Sequence, residues 1–456
     1  MQPKRPLRAQ PRSSPLGQPV SIQGMKSRAL ILSAVGASLM GGALLVVACT
    51  QDPQTDPQPD PIEPVVTSPP EGVEAPPAAA EFPVPKAMTH STKSPSAVPA
   101  SPDAERALVE LQKVCQTHGG DPENPWAIAH GLLAFGSEMT LSNGEPAVDY
   151  LYTRYAEVSE IQGRRLIAFP KERDGIEIEP HTDLVLKAIT ESGLSPDREV
   201  LVAGETFTLA DHWEHSLRTS FLNKTSGESS YTTPNDMPWG VQALAAWGTP
   251  QQTQWKAFDG TQMDLDDLVK FQAHVLTQES TFMYQAMLAG TDFEKKRQGV
   301  FNYTCGGAHM IQGSILPIAA GFGNTQDREK MAAQGTLLAY RYPVEMAIYE
   351  QARKQAPSQA MVLYVQQLKF IGHWLESMHK LTATGIFTPS ALDQQIMAQA
   401  VGDLITTTAA LKQLGALDNA AKIRENNSQL YLDIVGDSCH AVRGLELALG
   451  KGEVHW

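Results

Sequence analysis

Two stretches of the sequence repeat one pattern, EVLVAGETFTLAD at residues 199–211 and WKAFDGTQMDLDD at residues 255–267. Each has a short extended run, a glycine turn, a second extended run and then an apolar-periodic segment. The first part predicts a small β-hairpin, because a glycine in a tight turn can join two short strands. Thr208 and Asp264 then stand where a side chain can cap the first turn of a helix. A third glycine turn, centred on Gly175, gives the same hairpin signal.

Segments of helical periodicity fill most of the chain after about residue 103. Many of them end in a glycine, as helices do when the residue after the last turn adopts a left-handed conformation. Six such segments end at Gly136, Gly193, Gly248, Gly385, Gly415 and Gly450. Spread over roughly 350 residues, the pattern predicts about ten to twelve helices of ordinary length.

The predicted fold class is therefore all-α, built from helical hairpins with a few short β-hairpins. Hairpin-and-helix steps that recur every few tens of residues are typical of stacked helical hairpins. A domain of roughly 350 residues suits about six such hairpins closed into a ring, an (α/α) toroid. An irregular helical bundle is the alternative. We assign residues 103–456 to this domain.

The N-terminal part of the chain carries a targeting signal. Lys26 and Arg28 precede an uncharged, mostly apolar stretch, Ala29–Ala48, which ends at Cys49. This segment resembles the signal peptide of a bacterial lipoprotein, in which cleavage before the cysteine leaves that cysteine to carry palmitate-type lipid. The alternative is an uncleaved transmembrane helix, for which about 20 apolar residues are enough. Both interpretations place the rest of the chain on the non-cytoplasmic side, because the positive charges precede the apolar run.

The resemblance implies a membrane anchor in the cell envelope. Residue 50 is a threonine rather than an aspartate, and in lipoproteins this favours the outer membrane where the cell has one. Residues 1–48 are then the signal peptide, with Met25 as an alternative start. Residues 49–102 are a lipidated cysteine and a disordered tether, since this stretch holds 14 of the 32 prolines and shows no apolar periodicity.

Composition and charge exclude some partners. The 456 residues are 42% hydrophobic, which is ample for one large or two ordinary globular domains. Loss of the six basic residues in the signal peptide would change the formal net charge from −14 to −20. Such an acidic chain is repelled by nucleic acid and by anionic headgroups. We therefore expect no nucleic-acid partner and a membrane contact made through the lipid anchor alone.

Three cysteines remain after Cys49, and they leave three possibilities open. Cys305, Cys439 and His440 supply two thiols and an imidazole, a set that can hold zinc with an open fourth position. The alternatives are a disulfide between two of the three cysteines, Cys115 included, or buried thiols that do no chemistry.

Short motifs resemble those of lanthionine synthetase-like cyclases. Ala129-His130-Gly131, Cys305-Gly306 and Cys439-His440 occur in the same order as in that family. The resemblance implies an (α/α) toroid whose zinc is held by the cysteines and the later histidine. Ala441 stands where that family has a glycine, and the motifs lie farther apart along this chain. As a whole, the chain also resembles uncharacterised helical lipoproteins of myxobacteria, from which no activity follows.

Polar residues at predicted helix starts are candidates for acid–base chemistry, namely Asp183, Asp211, His215 and Asp236. Asp211 and His215 are four residues apart and share a helix face. Acidic residues are also favoured in a first helical turn for purely structural reasons. His373 and Glu376 share a face as well, although their spacing matches no zinc motif.

Aromatic residues and one histidine are candidates for lining a central cavity, namely Trp126, His130, Trp213 and Trp239. An aromatic face that stacks on a sugar ring, next to a carboxylate such as Asp236, would suit carbohydrate chemistry. Core packing is the structural alternative. The sequence thus leaves three hypotheses: an envelope ligand-binding protein, a carbohydrate-active hydrolase or lyase, and a zinc-dependent enzyme.

Lipidation gives the first testable prediction. A Cys49→Ala protein is expected to remain an uncleaved precursor and to incorporate no labelled palmitate, because the acceptor thiol is missing. Metabolic labelling followed by electrophoresis measures both effects. Equal labelling of mutant and wild type would contradict the assignment.

Overall fold

The computed structural model describes residues 82–96, 98–222, 229–231 and 236–456. The predicted signal peptide, Cys49 and most of the tether lie outside these residues. Within them, no helix combines the length and apolarity that a membrane span requires. The helices are α1 (Pro102–Gly119), α2 (Pro125–Phe135), α3 (Ala147–Tyr155), α4 (Leu184–Glu191), α5 (Leu209–Thr219), α6 (Met237–Trp247), α7 (Leu265–Glu279), α8 (Thr281–Ala289), α9 (Ala308–Ala319), α10 (Thr325–Gln355), α11 (Ala360–Ala383), α12 (Ala391–Gln413), α13 (Ala420–Asn426) and α14 (Ser428–Ala448).

In the described part of the chain, ten short strands pair into five two-stranded antiparallel sheets. The strands are β1 (Ser91–Lys93), β2 (Glu157–Ile161), β3 (Arg164–Ala168), β4 (Glu172–Arg173), β5 (Ile176–Glu177), β6 (Glu199–Val202), β7 (Glu205–Thr208), β8 (Gln254–Lys256), β9 (Gln262–Asp264) and β10 (Glu453–His455). Four sheets are hairpins of neighbouring strands, and the fifth pairs β1 with β10.

Six helices close into a ring. In chain order, α2, α4, α6, α9, α11 and α14 each pack on the next, and α14 packs back on α2. The helices before them in each hairpin, α1, α3, α5, α7, α10 and α12, pack against this ring. Nearly every residue of α4, α6 and α9 is buried, as expected for helices surrounded on all sides. The mostly helical fold class and the arrangement of six helical hairpins are thus confirmed.

The three predicted hairpins are present. The turns that join β4 to β5 and β6 to β7 contain Gly175 and Gly204, both with φ near +80°. The residues before these glycines also have positive φ, so the backbone has the primed-turn twist that suits two-residue hairpin loops. Thr208 forms a capping box with Asp211 at the start of α5, and Asp264 caps α7.

The domain begins earlier than the sequence suggested. We placed residues up to 102 in the tether, but β1 pairs with β10 at the C-terminus. The backbone N–H of Lys86 also donates to the carbonyl of Trp247, and the side chain of Phe82 lies against the guanidinium of Arg218. Residues 82–96 therefore belong to the folded domain.

The helix pair with the most extensive contact in the ring is α11 with α14. A Cβ added to Gly372 would lie 2.9 Å from the backbone nitrogen of Ala441, and one added to Gly444 would lie 2.7 Å from the carbonyl oxygen of Gly372. The two glycines thus allow the helix backbones to touch. On its other side, α14 is tied to α1 by a disulfide between Cys115 and Cys439.

The disulfide yields a stability prediction. It closes a loop across 324 positions of the sequence, so its loss releases a large chain entropy in the unfolded state. Cys115→Ser should lower the free energy of unfolding by about 2–5 kcal/mol. Denaturant unfolding of the mutant beside wild type measures this. Peptide mapping without reduction should find Cys115 linked to Cys439; alkylation of both cysteines in the non-reduced protein would contradict the pairing.

Candidate functional site

Polar side chains from all six inner helices meet in the middle of the ring. We call this group the histidine centre and define it by ten residues: His130 on α2, Lys187 and Glu191 on α4, Trp239 on α6, His309 and Gln312 on α9, His373, Glu376 and Lys380 on α11, and His440 on α14. Every one of them is less than one-tenth exposed. Buried polar groups are costly unless they are paired, so such a concentration is unusual for a core.

Glu376 is the hub of the centre. Its Oε1 accepts a hydrogen bond from Lys380 Nζ at 2.7 Å, and its Oε2 accepts from His440 Nδ1 at 2.8 Å and from Gln312 Nε2 at 3.0 Å. Burial opposes ionisation of this carboxyl, but the neighbouring Lys380 ammonium and the His440 hydrogen bond outweigh it and hold the pKa of Glu376 well below its ordinary value. Glu376 is therefore a carboxylate.

Two lysines and a second carboxylate complete the charge balance. Lys380 Nζ also donates to Glu191 Oε1 at 2.8 Å, and Lys187 Nζ lies 3.4 Å from Glu191 Oε2. The Lys187 ammonium stands 4.0 Å from the centre of the Trp239 ring, a cation–π contact. Burial lowers the pKa of Lys187 to about 8, against the opposing attraction of Glu191. At neutral pH Lys187 therefore remains mostly charged.

Hydrogen bonds fix the tautomers of three histidines. An ionised carboxylate and a carbonyl can only accept, so Nδ1 of His440 and Nδ1 of His130 both carry protons, the latter bonded to the Trp126 carbonyl at 2.8 Å. An indole N–H can only donate, and Trp239 donates to Nδ1 of His309 at 2.8 Å. Neutral His309 thus carries its proton on Nε2, whereas His440 and His130 offer an Nε2 lone pair.

His373 lies between the other rings. Its ring centroid is 3.9 Å from that of His440 and 5.6 Å from that of His309. The Nε2 atoms of His373 and His440 are buried and have no hydrogen-bond partner among the described residues. Burial lowers the pKa of both imidazoles, so both are neutral at physiological pH.

Several predicted site residues come together here. His130, Trp239 and His440 belong to the centre, and Trp126 lies tilted against His130 with a centroid distance of 4.1 Å. The centre reaches partly exposed positions through Trp126, through Cys305 near His309, and through His181, whose ring lies 5.7 Å from that of His309.

Asp183 and Asp236 lie beside the centre rather than in it. Asp183 follows His181 by two positions, is buried, and adopts a left-handed backbone with φ of 61°. Burial raises the pKa of Asp183 to about 6. Asp236 precedes α6 and raises the pKa of His181 by its charge, although burial lowers it more.

Three predicted site residues lie outside the histidine centre, and two of them have structural roles. Asp211 caps α5 by accepting from the backbone N–H of Thr208 at 2.7 Å. Trp213 is fully buried and donates to the Leu244 carbonyl, so it offers no ring face to a ligand. His215, next to this cap, is not among the residues that meet in the ring, and burial lowers its pKa to about 4.

The zinc set predicted from two cysteines and His440 is wrong. Cys439 is bonded to Cys115, so its sulfur is not the thiolate that binds zinc. The disulfide alternative therefore holds for one cysteine pair. Cys305 stays outside the disulfide and lies near His309 and His373.

Among the residues that the structure describes, two groups of side chains are close enough to hold a metal ion. One is Cys305, His309 and His373; the other is His373, Glu376 and His440. In each group, one ligand atom per residue lies within 4.8 Å of the others. Sequence reasoning named His373 and Glu376 only as a shared helix face and missed Lys187, Glu191, Gln312 and Lys380 altogether. Lys187 and Glu191 on α4 and Gln312 on α9 stand among mostly apolar residues, a pattern that can indicate buried polar groups. Lys380 lies among several other polar residues of α11 and gave no such signal.

Comparison of the chain with protein-family models, with curated proteins and with solved structures gives no match. The centre has therefore to be interpreted from its own geometry.

The buried histidines predict acid sensitivity. Ten of the twelve histidines have a lowered pKa, by burial above all; His130 and His212 reach about 3, and His215 and His379 about 4. Because the unfolded chain takes up these protons near pH 6.5 and the folded chain does not, stability is full above pH 6.5 and falls below it. At pH 5, each of the four histidines with a pKa of about 3 or 4 should lower the free energy of unfolding by about 2 kcal/mol.

Four carboxyls oppose this trend, because burial raises the pKa of Glu179, Asp183, Asp437 and Glu446. They are outnumbered, so we expect Tm to fall steeply between pH 6.5 and pH 4.5. Calorimetry at a series of pH values checks this. A Tm that stays level or rises on acidification would contradict the buried, neutral state of the histidines.

Proposed function

We propose that this chain is a lipid-anchored cell-envelope protein whose helical domain binds a small polar ligand at the histidine centre. The anchor rests on the sequence around Cys49. The binding function rests on one observation, the concentration of buried polar atoms that lack a hydrogen-bond partner. Among the described residues these include Gln312 Oε1, His373 Nε2 and His440 Nε2. Lys187 Nζ and Glu191 Oε2 meet no hydrogen-bond geometry either, and their contact is the 3.4 Å ion pair between them.

Unpaired buried polar atoms favour a bound polar molecule over a purely structural core. Each costs about 1–3 kcal/mol when left without a partner. A core built only for stability would replace such groups with apolar ones, since buried ion pairs are weak stabilisers. A ligand with both hydrogen-bond donors and acceptors would satisfy these atoms and recover that cost.

Lys187 indicates the charge of the ligand. Its ammonium is buried, and its contacts are a long ion pair with Glu191 at 3.4 Å and the face of the Trp239 ring at 4.0 Å. Glu191 is already bonded to Lys380, so the charge of this one carboxylate is shared between two lysines. An anionic group on the ligand, such as a carboxylate or phosphate, would complete the coordination of Lys187.

An acid–base enzyme is the second candidate, favoured by the pair of Glu376 and His440. The carboxylate orients the imidazole through Nδ1 and leaves Nε2 able to accept a proton, which is the arrangement of a general base. A carbohydrate specificity has less support, because Lys187 covers a face of Trp239 and that ring is 2% exposed.

The binding proposal is tested with Lys187→Met. Small anionic amino acids, sugar acids, phosphate esters and cell-wall fragments are screened by thermal shift, and hits are measured by calorimetry. Loss of a charge-assisted hydrogen bond should weaken a true ligand by about tenfold or more. Glu191 keeps its partner Lys380 in this variant, so no carboxylate is left unpaired.

Lys354→Met is the matched control, because Lys354 is exposed and pairs with Glu350 on the surface. It should bind every hit as wild type does. The proposal fails if no compound stabilises the wild-type protein, or if all hits bind Lys187→Met as tightly as they bind wild type.

A further inference from the structure

We infer that His373, Glu376 and His440 form a binding site for a divalent transition metal, with zinc the ion that this donor set fits best. The inference deepens the proposed function, since it concerns the same centre. All three side chains are buried, and one ligand atom of each lies within 4.8 Å of the other two. Two histidines and a glutamate form a known type of zinc set that leaves a coordination position open.

The positions need only small adjustments. Zinc bonds to nitrogen and oxygen are about 2.0–2.2 Å long, so tetrahedral ligand atoms stand roughly 3.3–3.5 Å apart. His440 Nδ1 and Glu376 Oε2 are 2.8 Å apart and would separate slightly. The distances from the His373 nitrogen to the other two ligand atoms would shorten by at most about 1.5 Å. Side-chain rotation can supply such a change.

The second possible metal group is weaker. His309 in that group uses Nδ1 to accept from Trp239, and its Nε2 holds the proton in the neutral ring. Neither nitrogen therefore offers a lone pair without breaking the Trp239 bond or removing a second proton. His373 is held less tightly, because Gln312 Nε2 lies 3.4 Å from its Nδ1 and Asp437 Oδ1 lies 3.9 Å from its Nε2.

His440 changes tautomer rather than charge on metal binding. Its proton sits on Nδ1 while that atom donates to Glu376. When a cation takes the place of this hydrogen bond, the proton moves to Nε2, which has no partner among the described residues. Glu376 keeps the hydrogen bond from Lys380 on its other oxygen, and this contact fixes the direction of the carboxylate.

Gln312 supplies a further oxygen. Its Nε2 donates to Glu376 at 3.0 Å, while Oε1 is buried without a hydrogen-bond partner. The two ends of an amide are nearly the same shape, and rotation exchanges them. A cation next to Glu376 favours the exchanged orientation, in which the amide oxygen faces the metal.

The inference is tested on the full-length protein with zinc alone and then with cobalt. After chelator treatment and dialysis, calorimetry and elemental analysis should find one zinc ion per chain. His373→Gln and His440→Gln should each weaken binding about 100-fold or more, because loss of a ligand costs at least as much as loss of its second-shell partner. His274→Gln is the matched control, since His274 is exposed on α7.

Cobalt distinguishes the two donor sets without any mutation. The set of His373, Glu376 and His440 predicts visible cobalt bands and no thiolate-to-cobalt charge-transfer band. A charge-transfer band that disappears in Cys305→Ser would overturn the inference in favour of the other group. Absence of zinc binding by wild type, or unchanged binding by both histidine variants, would also overturn it. Ligand hits that depend on Lys187 would survive those outcomes, so failure of the metal site and failure of the binding function are separable.

Discussion

The contact between α11 and α14 is the constraint on which the centre depends. Gly372 and Gly444 remove the side chains that would hold these helices apart. The backbones approach so closely that the next residue on α11, His373, contacts His440 of α14, with the two rings tilted by 37° and their centroids 3.9 Å apart. A larger residue at either glycine would separate the two imidazoles and lengthen the bond between His440 and Glu376. Helix packing at two positions thus sets the geometry of the site.

The charges in the ring are arranged as an alternating chain. Lys187, Glu191, Lys380 and Glu376 follow one another, and each contacts the next at 3.4 Å or less. Removal of an inner member would leave a buried charge without a counter-ion, which typically costs 3–5 kcal/mol. The four charged side chains therefore behave as one unit. Its stability comes mostly from the apolar residues around it, and the polar groups retain a cost that a ligand can relieve.

Local features such as hairpins and helix caps were predictable from the sequence. The meeting of distant residues in the middle of the ring was not. Glycine turns predicted the hairpins at Gly175, Gly204 and Gly260. The helix caps at Thr208 and Asp264 were predictable as well, because a cap depends on side chains within a few residues of it. His130 and His440 are 310 positions apart, and they meet only because the ring closes. The pairing of Cys439 with Cys115 has the same origin. The spacing of residues along the sequence does not show which distant residues meet in the fold. A zinc site of two thiols and an imidazole was therefore as consistent with the sequence as a disulfide.

The disulfide and the donor set suit one compartment. A disulfide persists where the surroundings are oxidising, as the proposed envelope location would be. Under such conditions a cysteine with a second cysteine nearby forms a disulfide and can no longer bind a metal as a thiolate. Cys439, next to His440, is in this state because it is bonded to Cys115. Imidazole and carboxylate groups keep their lone pairs regardless of redox state. A site built from His373, Glu376 and His440 therefore remains competent where a site built on Cys439 does not, and the same disulfide that removes the thiolate holds α14, and with it His440, against α1.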